Sequence, residues 1–369
     1  MMHNAMAMTT TEPQVGAPRG MQQNVPLAPL TTLGIGGPAK YFIRAETVDE
    51  VREAVAWASA KREQLLVLAG GSNVLIADEG FDGVVLQIAL RGIHEESEDA
   101  ESVMVKVAAG ETWDDFVAMA VRNRWAGIEC LSGIPGSTGA TPIQNVGAYG
   151  QDVSETIARV EALDRVNGRV IWFTNWDCGF AYRSSAFKSH ERERYIILSV
   201  TFRLRRNGAA AVRYPELRQF IEERGASLED LQSVRDAVIA IRRRKGMVID
   251  PADPDTRSDG SFFMNPIISR PEFEKLAARV ADKKVPNFPS GDEVKLSAAW
   301  LIENAGFRKG FVHGNVGLSS KHSLAIINRG GGTAREVVEL VRMIQGKVRE
   351  TFGVEIHPEP NLVGLGSGA

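Results

Sequence analysis

The chain has 369 residues, with 43 Lys and Arg against 46 Asp and Glu, for a formal net charge of -3. A chain of this length divides into roughly two or three domains, and its balanced charge lacks the basic face that nucleic-acid binding needs. Cys130 and Cys178 are its only cysteines, which excludes a disulfide framework and a multi-cysteine metal site, and no run approaches the roughly 18–20 apolar residues of a membrane span.

Residues 1–24 are polar and Met-rich, with no basic segment ahead of an apolar run. They read as a disordered leader rather than a secretory signal, which makes the cytoplasm the expected compartment. A strand-like run follows at 39–44. Thr47 and Glu50 then have capping-box spacing ahead of an apolar stripe of Val51, Ala54, Val55 and Ala58, which predicts a helix. Strands are expected at 64–69, 84–90 and 103–108, and a second helix capped by Thr112 with Asp115. Residues 131–150 carry five glycines and two prolines and form no regular element. Strands resume at 160–164, 169–173 and 195–204, the last placing Ile196, Leu198, Val200, Phe202 and Leu204 on one face, and a turn at 205–208 follows. Ser227 with Asp230 predicts a helix carrying Leu228, Leu231, Val234, Val238 and Ile241. Beyond an Asp- and Pro-rich loop at 246–260, helices are expected at 297–305 and from Thr333, whose capping partner is Glu336 and whose stop is Gly353. The pattern is α+β.

Two glycine-rich segments invite a ligand. Gly70-Gly71-Ser72-Asn73-Val74 directly follows a buried strand, where successive N–H groups can point at one anion. An ordinary tight turn is the alternative, since the run is neither a Walker A motif nor a dinucleotide fingerprint. The 131–150 segment is almost uncharged yet offers many N–H groups together with Ser137, Thr141, Gln144 and Asn145, a composition suited to a flat hydrogen-bonding ligand with a pyrophosphate.

Six motifs occur in one order: Gly70 to Leu75, Ile134-Pro-Gly-Ser-Thr-Gly139, Pro142-Ile-Gln-Asn-Val-Gly-Ala-Tyr-Gly150, Tyr182-Arg-Ser-Ser-Ala-Phe-Lys188, Gly260-Ser-Phe-Phe-Met-Asn-Pro266 and Pro358-Glu-Pro360. Together, over about residues 25–365, they resemble the UDP-N-acetylenolpyruvoylglucosamine reductases, flavoenzymes of peptidoglycan precursor synthesis. The resemblance implies a vanillyl-alcohol-oxidase-like FAD-binding region at 25–245, in two subdomains at about 25–96 and 97–245. It implies a smaller α+β substrate domain at 246–352, and a tail at 353–369 that returns to the flavin. FAD would be dissociable and NADPH the reductant, with UDP-N-acetylglucosamine enolpyruvate as substrate and a monomer as the working unit.

By the same resemblance FAD would lie against Gly70, Gly71, Ser72, Asn73, Val74 and Leu75, against Ile134, Pro135, Gly136, Ser137, Gly139 and Ala140, and against Gln144, Asn145, Gly147 and Ala148. Arg183 would offer a cationic fork to the substrate carboxylate, Ser261 would donate the proton, and Glu359 would help stabilise the enolic intermediate. Tyr182, Tyr214 on a mobile loop, Lys245, Asn265, Lys321 and His322 would hold the UDP-sugar. Arg242, Arg243 and Arg244 read as a solvated face that complements the helix dipole. The acidic loop with Asp250, Asp253, Asp255 and Asp259 reads as a solvated turn, with no metal. Two alternatives stay open: another flavin oxidase or dehydrogenase of this fold, and a non-catalytic UDP-sugar-binding flavoprotein.

Overall fold

The computed structural model describes residues 16–365 except Asp282. Residues 1–15 of the expected leader lie outside it. Its last part does not behave as a leader, because Gln22–Pro26 is a strand, paired antiparallel with the strand Pro38–Ala45.

That pair belongs to a four-stranded sheet. Pro38–Ala45 runs parallel to Phe81–Ile88, which runs parallel to Leu65–Leu68. Parallel neighbours need a crossover, and helix α1 (Val48–Lys61) supplies it. Thr47 and Glu50 close both halves of the expected capping box, and the helix buries Val51, Ala54, Val55, Trp57 and Ala58.

A larger antiparallel sheet follows, in the order Val170–Thr174, Ile157–Asp164, Tyr195–Arg206, Ser102–Ala108, Ile93–Glu98. Its central strand spans twelve residues, longer than the alternation at 195–204 implied. Helix α2 (Trp113–Arg122) packs here, and Trp113, Phe116 and Phe202 form an aromatic knot with ring centroids 5.1–5.9 Å apart. Thr112 is the N-cap of α2, but its side chain makes no capping hydrogen bond. One core unites this sheet with α1 and the parallel sheet.

Helices α3 (Pro215–Glu222) and α4 (Leu231–Arg244) form a satellite with its own apolar cluster, which includes Cys130. The fourth helix starts later than the sequence implied. Asp230 takes the cap by accepting from Ser233 N, while the Ser227 hydroxyl accepts from Glu229 N and leaves Leu228 outside the helix.

The remainder is α+β again: α5 (Arg270–Arg279), α6 (Ala298–Asn304) and α7 (Ala334–Phe352) with two three-stranded sheets. Thr333 and Glu336 complete a capping box on α7, and Gly353 ends it at φ +70°. Leu33, Ile35 and Leu75 of the first region share the core of these helices. The chain then returns: Asn361–Val363 pairs parallel with Val74–Ile76, which seats residues 357–360 between the 70–74 turn and the 261–265 loop.

Candidate functional site

The two glycine turns of the first region meet backbone to backbone. A Cβ on Gly70 would fall 2.6 Å from the Cα of Gly136, so only glycine permits the approach. Gly71 sits at φ +62° and Gly136 at φ +116°. Ser72 Oγ donates to Pro135 O at 3.1 Å and locks the two turns together. Beside this clasp, Ser137 Oγ and Thr138 Oγ1 are buried without a hydrogen-bond partner. Each such hydroxyl costs about 1–3 kcal/mol if left unpaired. A buried wall of glycine backbone with orphaned hydroxyls fits a ligand rich in hydrogen-bonding groups.

Asn73 Nδ2 donates to Gln144 Oε1 at 2.7 Å and reaches Glu359 O at 3.4 Å. Asn145 is engaged by the protein: its Nδ2 donates to Ala181 O and its Oδ1 accepts from Ser154 N. Gly147 and Ala148 form a short strand against Gln151–Asp152. The Gly147 carbonyl accepts from Arg183 Nη2 at 2.7 Å.

Arg183 occupies a tight turn at φ +52°, with Ala181 and Ser184 bridged across it. Its Nε lies 3.4 Å from Glu359 Oε1. Glu359 is held by the returning tail, its N–H donating to Phe262 O at 2.8 Å, which brings it beside Ser261. Burial raises the Glu359 pKa, and Arg183 and then Lys188 pull it back. Arg183, Glu359 and the Ser261 loop therefore meet where three distant chain segments cross.

Ser261 Oγ lies 3.4 Å from His322 Nε2. Burial and the nearby cations Lys245 and Lys309 push the His322 pKa down to about 4, so its ring is neutral at neutral pH. Of the other expected substrate residues, Tyr182 is exposed, with Lys295 Nζ 4.7 Å above its ring, and Asn265 Oδ1 accepts from Ala298 N at the start of α6. Tyr214 is exposed at the head of α3 and stacks edge-on with Tyr149, centroids 5.5 Å apart. Lys245 pairs with Glu216 at 2.8 Å, and Lys321 with Asp253.

Two expectations about charge are overturned. Arg242 does not share the solvated face of Arg243 and Arg244: it donates to Gly133 O and Met247 O, tying α4 to the glycine segment. Nor is the acidic loop a solvated turn throughout, for Asp250 is exposed while Asp255 and Asp259 are buried. Asp255 is buried and accepts from Ser320 N and Oγ, while Asp259 is 6% exposed and accepts from Thr32 Oγ1. These carboxylates find donors in loops far away in the chain, which composition cannot reveal. No cluster of three potential metal ligands occurs among the described residues. Both cysteines are buried, and burial raises each thiol to about 12, so neither is a ready nucleophile. No helix among the described residues is long and apolar enough to cross a membrane.

Residues 39–174 match the FAD binding domain family, and residues 250–363 match the C-terminal domain of UDP-N-acetylenolpyruvoylglucosamine reductase. The UDP-N-acetylenolpyruvoylglucosamine reductase of Thermobifida fusca is 47% identical over 350 residues, 93% of this chain and 98% of that protein. The chain belongs to the UDP-N-acetylenolpyruvoylglucosamine reductase family. The namesake enzyme of Salinispora arenicola is 49% identical over 344 residues, 91% of this chain and 94% of its own. The crystal structure of the Thermus caldophilus enzyme shares the fold at a TM-score of 0.64, with 24% identity, covering 93% of this chain and 98% of that one. The expected α+β architecture with an FAD-binding domain is borne out, and the protein is an FAD-dependent oxidoreductase.

The sequence reading missed three groups around the site. Lys188, within the Tyr182 motif, has its Nζ buried without a hydrogen-bond partner. Asp259, two residues before Ser261, has an unpartnered Oδ2. The pKa of Asp152 is raised by burial against the pull of Arg183. Their residue types were visible, but a charge at these places signals function only once it is known to be buried.

Proposed function

We propose that this protein reduces UDP-N-acetylglucosamine enolpyruvate to UDP-N-acetylmuramate with NADPH as reductant, in the cytoplasm and as a monomer, within peptidoglycan precursor synthesis. The observation that carries the reading is the meeting of Arg183, Glu359 and the Ser261 loop beside the glycine clasp. Residues 25–245 would bind FAD and residues 246–352 the UDP-sugar, with 353–369 closing the site. FAD would be held by the Gly70–Leu75 turn, by residues 134–140 with their orphaned hydroxyls, and by Gln144, Gly147 and Ala148. When bound, FAD would supply the redox chemistry, by which a hydride from NADPH would reach C3 of the enolpyruvyl group.

Negative charge then builds at C2 and spreads into the substrate carboxylate. Arg183, fixed by Gly147 O and Glu359, presents a cation whose attraction for that carboxylate grows as the charge does. Ser261 delivers its hydroxyl proton to C2; a serine is a weak acid in water but suffices beside a strongly basic carbanion. His322, neutral and against Ser261, orients the hydroxyl. Tyr182, Tyr214, Lys245, Asn265 and Lys321 hold the UDP-sugar. For Lys245 and Lys321 this means sharing a cation already paired with a carboxylate.

The test is anaerobic visible spectroscopy. The flavin band bleaches on NADPH and returns on addition of the enolpyruvyl substrate. A protein that takes up no FAD, or whose reduced flavin is reoxidised by oxygen alone, refutes the reading.

A further inference from the structure

The turn 181–189 carries two cations into the site. Ser185 Oγ donates to Ile143 O at 2.6 Å, and Arg183 Nη2 to Gly147 O at 2.7 Å, so this turn is stapled twice to the glycine segment. Beyond the staple, Lys188 Nζ is buried and finds no hydrogen-bond partner among the described residues. An ammonium left so is costly, and such a group is retained where another charge needs it. Burial lowers the Lys188 pKa and Glu359 pulls it back up, while Arg183 and Arg192 lower it further. Arg183 and Lys188 are in turn the two cations acting on Glu359. Asp152 also feels Arg183 and Lys295, and the Tyr182 ring has Arg183 Cζ at 5.6 Å and Lys295 Nζ at 4.7 Å.

We propose that Lys188 is a positioning residue: its buried ammonium, carried by the same turn as Arg183, holds Glu359 as a carboxylate and makes the Arg183–Glu359–Lys188 cluster net positive. The inference rests on the functional reading above and deepens it. With Glu359 ionised, two cations face one anion, and the remaining positive charge suits a substrate bearing a carboxylate. Arg183 alone would leave the cluster neutral, and burial would then favour a protonated Glu359.

Lys188→Met keeps the length of the side chain and removes the charge, whereas Lys188→Arg keeps the charge. In infrared titrations of the full-length protein without substrate, the protonated-carboxyl band that Glu359→Gln abolishes is expected to persist to higher pH in Lys188→Met, by about one pH unit. Lys188→Arg restores the wild-type titration. In stopped flow, the acid limb of flavin reoxidation by the enolpyruvyl substrate moves up in pH by the same amount, while flavin reduction by NADPH is unchanged. An unmoved Glu359 band in Lys188→Met overturns the proposal, whether or not that variant still binds FAD. The infrared arm uses no substrate, so it separates failure of this inference from failure of the functional reading.

Discussion

Asp259 gives the most quantitative test of how the site is built. It is 6% exposed, Oδ1 accepts from Thr32 Oγ1 at 3.2 Å, and Oδ2 has no partner. Burial raises its pKa from 3.8 to about 8. The carboxyl is therefore protonated in the folded protein at neutral pH and ionised in the unfolded chain. Folding takes up a proton, so stability is unaffected by this group below the unfolded pKa. It falls by about 1.4 kcal/mol per pH unit as pH rises toward the folded pKa. The ceiling is about 6 kcal/mol near pH 8. Asp259→Asn keeps the acceptor and removes the titration. In urea denaturation with saturating FAD on both proteins, the stability of Asp259→Asn relative to wild type should climb by about 4 kcal/mol between about pH 5 and about pH 8. A difference that stays constant across that range would show that Asp259 folds as a carboxylate and would refute the reasoning.

Ser261→Ala should leave flavin reduction by NADPH near normal and slow reoxidation by the enolpyruvyl substrate by about 10²–10⁴-fold, the usual worth of a positioned proton donor; equal slowing of both half-reactions in stopped flow would count against the assignment. Arg183→Lys keeps the charge but loses the fork shared by Gly147 O and Glu359. Losing one charged hydrogen bond of about 1.5–3 kcal/mol predicts a drop in kcat/KM of about 10–100-fold, read in steady-state kinetics. Thr333→Ala removes the capping box of α7 and should cost about 1 kcal/mol in urea denaturation, with FAD content unchanged.

Much of the fold is local, and the sequence alone determined those parts. The capping boxes of α1 and α7, the stop at Gly353 and the alternation of 195–204 depend on residues within a few positions of each other. The six ordered motifs likewise carried the family, because their residues stand in plain order along the chain. The weaker local signals went astray: Asp230 displaced Ser227 as a cap, and residues 22–24, taken for a leader, found a strand partner in 41–42.

Tertiary structure decided the environments. Asn73 meets Glu359 across 286 residues, and Thr32 meets Asp259 across 227. The solvated acidic loop of the sequence became an anchor for Ser320 and Lys321, and one of the three arginines closing α4 became a strut to Gly133. Lys188 and Asp259 have ordinary identities, and only the packing around them makes one an unpartnered cation and the other a neutral acid. Charge state depends on desolvation, and desolvation depends on which distant segments close over a group. Sequence order supplied the parts of this site, whereas their ionisation was set by the return of the tail and the crossing of loops far apart in the chain.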